Sequence, residues 1–231
     1  MSRRPRHRLH ANPFNVRGAV SVPDWRATYG RTAPFALDVG FGDGRFTLAL
    51  ARSHPEWNVL GLEIRQHLVD DLLQRARTAA VANVWAMLAN ANTHLGELVG
   101  ARSVVFVAVN FPDPWFKKRH QKRRVVSAAW LAALAPKLAD GAEVHVMTDF
   151  APVGHEALRV LGAAPGFENR SDTGGFSAES TTGLQSEREL THMKRGEPIY
   201  RLHFRYSAPR PDPQPAAAVV PDTGRRYDEN G

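Results

Sequence analysis

The sequence predicts an α/β protein built on a doubly wound, mostly parallel sheet of seven strands. Three observations carry that expectation. Apolar, strand-like runs alternate with helix-patterned segments from residue 34 to residue 161, the order that crossover connections produce. The first run ends in the turn Gly40-Phe41-Gly42-Asp43-Gly44, which leads directly into a helical pattern. The chain has 231 residues at 43% hydrophobic content, enough for one sizeable core.

Each element follows from local pattern. PFALDVG (34–40) is a short apolar run closed by glycine and reads as a buried strand. A helix is expected over 43–54, where Phe46 and Leu50 recur at helical spacing. WNVLGLE (57–63) is the second strand. Residues 66–80 put Leu68, Leu72 and Leu73 on one helical face. NVWAML (83–88) and SVVFVAV (103–109) are the third and fourth strands. A helix is expected over 124–139, a strand over 142–149, and a helix over 150–161. A weak strand lies near Phe167, and the alternating segment PIYRLHFRY (198–206) is the last.

The ends differ from the middle. Residues 1–33 begin basic, carry Pro5, Pro13 and Pro23, and read as an arm with little regular structure. Residues 207–231 hold five prolines and few large apolar side chains, the composition of a flexible tail. The folded domain is therefore expected over 34–206. The net charge of +7 favours a polyanionic partner, nucleic acid before an anionic membrane surface. With no cysteine, disulfides, thiolate zinc sites and a cysteine nucleophile are excluded. The ten histidines show no H-E-x-x-H spacing, so no metal is expected. MSRRPRHRLHANPF lacks the apolar stretch of a secretory signal, and no run approaches the length of a membrane span. A soluble cytoplasmic protein without a membrane partner is the expectation.

Ligands in such a sheet lie beyond the carboxyl ends of the strands. Gly40 and Gly42 allow a tight turn and close backbone approach to a ligand. A dinucleotide fingerprint wants its third glycine one residue later, where Arg45 stands, which suits a ligand without phosphates. Glu63 ends the second strand 25 residues after Asp38, the distance at which an acid accepts from the ribose hydroxyls of an adenosine. Asn90 ends the third strand with an amide able to pair with an adenine edge. After the fourth strand, Pro112 and Pro114 stiffen the backbone on both sides of Asp113, while Phe111 and Trp115 offer faces for stacking on a base. Six of the next eight cationic-segment residues, Lys117, Lys118, Arg119, Lys122, Arg123 and Arg124, supply phosphate contacts, with Arg3, Arg4, Arg6 and Arg8 as a second cluster.

DVGFGDG (38–44), GLEIR (61–65) and above all FPDPWFKKRHQKRR (111–124) resemble the motifs of the bacterial tRNA (guanine-N7)-methyltransferases. TDF (148–150) and SERE followed by GEPIYRL (186–202) are similar to that family's C-terminal motifs. The resemblance covers 34–206. It implies a Rossmann-like class I methyltransferase fold with an antiparallel C-terminal strand, S-adenosylmethionine as methyl donor, and tRNA methylated at N7 of guanosine 46 as product. It also implies cofactor contacts from Asp38, Gly40, Gly42, Glu63, Asn90 and Asp113, with Asp113 as the catalytic carboxylate. Lys117, Asp149, Ser186 and Glu189 would then meet the substrate, in a monomer or homodimer. This chain departs from the family at three places: Asp38 where Glu is usual, Asn90 where Asp is common, and Ser186 where Thr is usual. Two other readings stay open, a nicotinamide-dependent oxidoreductase on the same sheet and an RNA-binding protein that has lost catalysis.

Overall fold

A computed structural model describes residues 13–16, 18–115, 118–180 and 182–208. Strands β1 (Phe35–Val39), β2 (Asn58–Glu63), β3 (Val84–Leu88), β4 (Val104–Asn110), β5 (Leu138–Thr148), β6 (Phe167–Asn169) and β7 (Tyr200–Tyr206) form one sheet in the order β3-β2-β1-β4-β5-β7-β6. Strands β1 to β5 pair in parallel, and β7 runs antiparallel to both β5 and β6. The seven strands and the antiparallel C-terminal one match the sequence-based expectation.

Every residue of β1 and β2 is buried, because helices cover both faces of the sheet. A period of two still sorts the side chains. Phe35, Leu37 and Val39 enter one core, together with Leu95 of α4 (Ala91–Leu98), Trp130 of α5 (Ala128–Leu134) and Leu161 of α6 (Ala151–Gly162). Ala36 joins the opposite core, with Leu50 of α2 (Arg45–Ser53) and Leu72 of α3 (Gln66–Thr78). A final helix, α7 (Glu187–Lys194), precedes β7. No helix among the described residues is long and apolar enough to cross a membrane.

Three expectations need correction. The described part of the 1–33 arm is folded onto the domain. Asp24 caps a short helix, α1 (Trp25–Tyr29), by accepting from Ala27 N–H, and Gly30 ends it with φ of 67°. Trp25 Nε1 donates to the Leu98 carbonyl at 2.7 Å, and the Tyr29 hydroxyl to the Val59 carbonyl at 2.9 Å. Two large aromatic side chains in this segment find burial against the sheet, which outweighs its prolines. The helix expected over 124–139 is shorter. Ser127 caps α5, and Pro136 cannot continue it, so a single 3-10 turn (Ala135–Lys137) leads straight into an eleven-residue β5. Helices α4 and α7 were not expected: both are short, and Asn90 and Ser186, their capping residues, read from sequence as ligand groups. The basic residues 1–12 and the tail from 209 onward lie outside the described residues.

The strand order reverses between β1 and β4. The turn after β1 and the segment after β4 therefore flank one crevice, the place where this architecture holds a ligand.

Candidate active site at the sheet switch point

A cavity opens over the ends of β1 to β4, with Gly40, Glu63, Asn90, Phe111, Asp113 and Trp115 in its wall. The switch point thus brings together four of the six residues expected to hold the cofactor, Gly40, Glu63, Asn90 and Asp113. Gly40 and Gly42 have φ of 72° and 62°, a left-handed backbone that side chains with a Cβ rarely adopt.

Glu63 is almost fully buried and heavily engaged. Its carboxylate accepts from Ile64 N–H at 2.8 Å, Gly42 N–H at 3.2 Å, and Arg65 through Nε at 3.0 Å and Nη2 at 2.7 Å. Those four bonds use the acceptor sites of a carboxylate. A ribose diol reaching Glu63 would meet the Arg65 guanidinium there. Arg65 is 24% exposed and has solvent to move into.

Asn90 is also committed. Its Oδ1 accepts from Asn92 N–H at 3.0 Å, capping α4, and its Nδ2 donates to the Pro13 carbonyl at 3.0 Å. The amide expected to read a base caps a helix and holds Pro13 in the cavity wall, with Asn90 itself part of that wall. Asp38 stands behind the turn rather than in the wall. Its Oδ2 accepts from Thr47 Oγ1 at 2.7 Å, while Oδ1 has no hydrogen-bond partner among the described residues. Burial pushes its carboxyl up to about 7; the Thr47 bond opposes this, and Glu63 and Asp43 add to it.

Asp113 reaches the cavity from between its two prolines. The residues flanking that tripeptide carry strain: Phe111 has φ of 50° and Trp115 of 42°, both left-handed and costly for bulky side chains. The segment is held in one shape by its surroundings. Arg124 donates Nε to the Pro114 carbonyl at 2.9 Å and pairs with Glu156 of α6. Arg123 lies over the Trp115 ring, 4.9 Å from its centroid.

A second cavity adjoins the first and shares Gly40 and Phe111 with it. Asp43, Asn110, Glu187 and Arg188 line its far side. Phe111 stacks on His192 with ring centroids 5.5 Å apart, and the Arg188 guanidinium sits 5.3 Å from the Phe111 centroid. Asp149 holds both partners, accepting from Arg188 at 2.8 and 3.0 Å and lying 3.2 Å from His192 Nε2. Both amide atoms of Asn110 are buried without partners among the described residues. Asp43 beside Glu187 raises the Glu187 carboxyl above its ordinary range.

The sequence is similar to those of known proteins. Residues 32–202 match the family model described as "Putative methyltransferase". The chain is 39% identical over 207 residues to the tRNA (guanine-N(7)-)-methyltransferase of Synechococcus elongatus, covering 87% of this chain and 96% of that one. It is 35% identical over 203 residues to the enzyme of that name from Synechocystis, covering 86% and 96%.

The chain belongs to the tRNA (guanine-N7)-methyltransferase family.

Solved structures agree on the fold. The antibiotic-resistance methyltransferase Kmr superposes with a TM-score of 0.58 at 20% identity, over 84% of this chain and 97% of that one. A 16S rRNA (adenine(1408)-N(1))-methyltransferase from Catenulisporales acidiphilia, solved with its cosubstrate SAM, gives 0.54 at 18%, over 84% and 95%.

As a tRNA (guanine-N7)-methyltransferase family member, the chain shows where its family motifs sit. Arg119 is exposed on the 3-10 segment Lys118–Arg123. Lys117 lies outside the described residues, as do the side chains of Lys118 and Lys122. Arg123 and Arg124, expected to grip RNA phosphates, turn inward instead: one stacks on Trp115, and the other joins Pro114 to Glu156. A rigid Pro-Asp-Pro turn needs an external brace, and Arg124 supplies it with a side chain only 11% exposed. The C-terminal motif is likewise tied into the fold. Ser186 accepts from Glu189 N–H at 3.2 Å as the cap of α7. Glu189 is 0% exposed, and its Oε1 takes Arg201 Nε at 3.1 Å and Nη2 at 2.8 Å, while Oε2 has no partner among the described residues. Glu189 is turned toward Arg201, while Ser186 stands in the wall of the second cavity. Sequence reading missed Arg65, Asn110, Arg188 and His192. The available signal for the last two was the capping pattern S-x-x-E at 186–189, which announces a helix and so places 188 and 192 one turn apart.

Proposed function

We propose that this protein transfers the methyl group of S-adenosylmethionine to N7 of guanosine 46 in the variable loop of tRNA. The observation that carries the reading is the meeting of two cavities at Gly40 and Phe111, one suited to a nucleoside methyl donor and the other to a base. The donor side fits its ligand chemically. It has a glycine turn for backbone approach and a carboxylate at the end of β2. The orphaned Oδ1 of Asp38 beneath the turn leaves an acceptor for a ligand N–H, directly or through water. Bound there, S-adenosylmethionine supplies an electrophilic methyl on a sulfonium centre. The names of the relatives support tRNA as the substrate and guanine N7 as the target atom. Family membership favours methyl transfer over the nicotinamide alternative.

Guanine N7 carries an in-plane lone pair and needs no proton removed before it attacks, so no general base is required of the protein. The chain supplies alignment and charge stabilisation. Asp113, fixed by its prolines and by Arg124, stabilises the positive charge that develops on the imidazole part of the guanine. Asn110 offers one unpaired donor and one unpaired acceptor, the pattern that pairs with the O6 and N1–H edge of guanine. The Asp149–Arg188 pair sets the wall against Phe111. Arg119 and its neighbouring lysines meet the phosphates, and such an enzyme meets its tRNA in the cytoplasm.

The test is incubation with methyl-labelled S-adenosylmethionine and unmodified tRNA, followed by aniline cleavage at 7-methylguanosine. Label at position 46 is expected. Cleavage elsewhere overturns the position, and absence of 7-methylguanosine overturns the activity in favour of RNA binding without catalysis.

A further inference from the structure

On the sheet face that carries Phe106, β5 places Glu143 and His145 two residues apart on one side, and the antiparallel register sets His203 of β7 directly opposite His145. We propose that Glu143, His145 and His203 form a zinc-binding site that joins β5 to β7, outside the methyl-transfer cavities.

Geometry argues for it. Glu143 Oε2 lies 3.3 Å from His145 Nε2 and 3.7 Å from His203 Nε2, and the three ligand atoms all fall within 4.8 Å of one another. Zinc held at roughly 2.0–2.1 Å by tetrahedral ligands separates them by about 3.4 Å. The two spacings from Glu143 are close to that edge length, and the shorter is also within hydrogen-bond reach. His203 Nε2 is buried with no hydrogen-bond partner among the described residues, so its lone pair or proton is unsatisfied without a further group. The imidazole rings are stacked with centroids 4.3 Å apart, so joint ligation requires them to swing out of that stack about χ2, a soft torsion.

Chemistry agrees. Two imidazoles and a carboxylate are a borderline donor set, suited to Zn²⁺ over Ca²⁺ or Mg²⁺, with a fourth position left for water. Glu143 is 48% exposed, which gives the ion a path from solvent, while His145 is buried beneath it. Arg170 and Arg205 are the nearby cations that oppose the ion; Arg205 stands opposite Glu143 in the strand register. No sequence spacing announces this set, since 58 residues separate His145 from His203 and only the β5–β7 pairing unites them.

The test uses the full chain after chelator dialysis. Zn²⁺ titration by calorimetry is expected to show one tight equivalent and a rise in thermal midpoint, and Co²⁺ to give the visible absorption of a low-symmetry, tetrahedral site. Glu143→Gln and His203→Ala are each expected to weaken Zn²⁺ by more than about 10-fold, the loss typical of even an outer-sphere partner. Glu143→Gln, at an exposed position, keeps the test decisive if His203→Ala fails to fold. No saturable Zn²⁺ binding, or wild-type affinity in Glu143→Gln, overturns the proposal and leaves the cluster as an ordinary packed pair of histidines.

Discussion

Arg188 Nη2 donates to both carboxylate oxygens of Asp149, at 3.0 and 2.8 Å, across 39 positions of sequence. The pair joins the end of β5 to α7 and presents the guanidinium to the ring of Phe111, which belongs to both cavities. Residues that act as a unit give non-additive losses. Arg188→Ala and Asp149→Ala should each lower kcat/KM for tRNA, and the double variant should be little worse than either alone. A coupling of about 1–3 kcal/mol is expected from the cycle. Strictly additive losses would show that the two side chains work separately.

Asp113 is the group proposed to stabilise charge at the reacting base. Asp113→Ala should lower kcat by roughly 10²–10³-fold, the scale of losing one preorganised electrostatic partner. Binding of tRNA, read by filter retention, should stay near wild type. Equal losses in rate and in binding would make Asp113 a general structural element instead.

Two arginines of the cationic segment should behave differently. Arg119 is exposed, and Arg119→Gln should weaken tRNA binding and reduce the salt slope of log K by about one. Arg124 is occupied by Pro114 and Glu156, so Arg124→Gln should lower the urea midpoint and kcat together while leaving the salt slope unchanged. A changed slope in Arg124→Gln would return that residue to the RNA surface.

Glu189 and Arg201 form a buried pair with side-chain exposures of 0% and 14%. Removing one member strands the other charge, so Glu189→Ala should cost about 3–5 kcal/mol of unfolding free energy. Chemical denaturation measures it. A variant as stable as wild type but defective toward tRNA would restore Glu189 as a substrate contact.

The folded pKa of Asp38 is raised from 3.8 to about 7 by burial. A protein that binds more protons folded than unfolded loses stability as pH rises. The contribution of Asp38 is fully present below pH 4 and is lost as pH climbs through 7. Asp38→Asn removes this titration, and Asn can still accept from Thr47 Oγ1. Urea midpoints at pH 5 and pH 8 should therefore differ less in the variant than in wild type, with the relative gain at pH 8.

Much of the molecule was readable because its signals are local. Alternation of apolar runs announced the sheet, glycines the turn after β1, and paired prolines the stiffness around Asp113. The cavity wall then followed from a general rule about strand ends, and Gly40, Glu63, Asn90 and Asp113 do meet there. What could not be read was the engagement of each side chain. Asn90 and Ser186 are polar residues at element boundaries, and a cap and a ligand contact look alike until the neighbouring N–H groups are placed.

The sequence by itself determined the element types, their order and the chemical groups available, because backbone propensity and hydrophobic periodicity act over a few residues. Tertiary structure alone decided which distant side chains meet: Arg124 with Glu156, Arg188 with Asp149, Arg201 with Glu189, and His203 opposite His145. Hydrogen bonds and ion pairs act over about 3–4 Å, so their partners are set by strand register and helix docking.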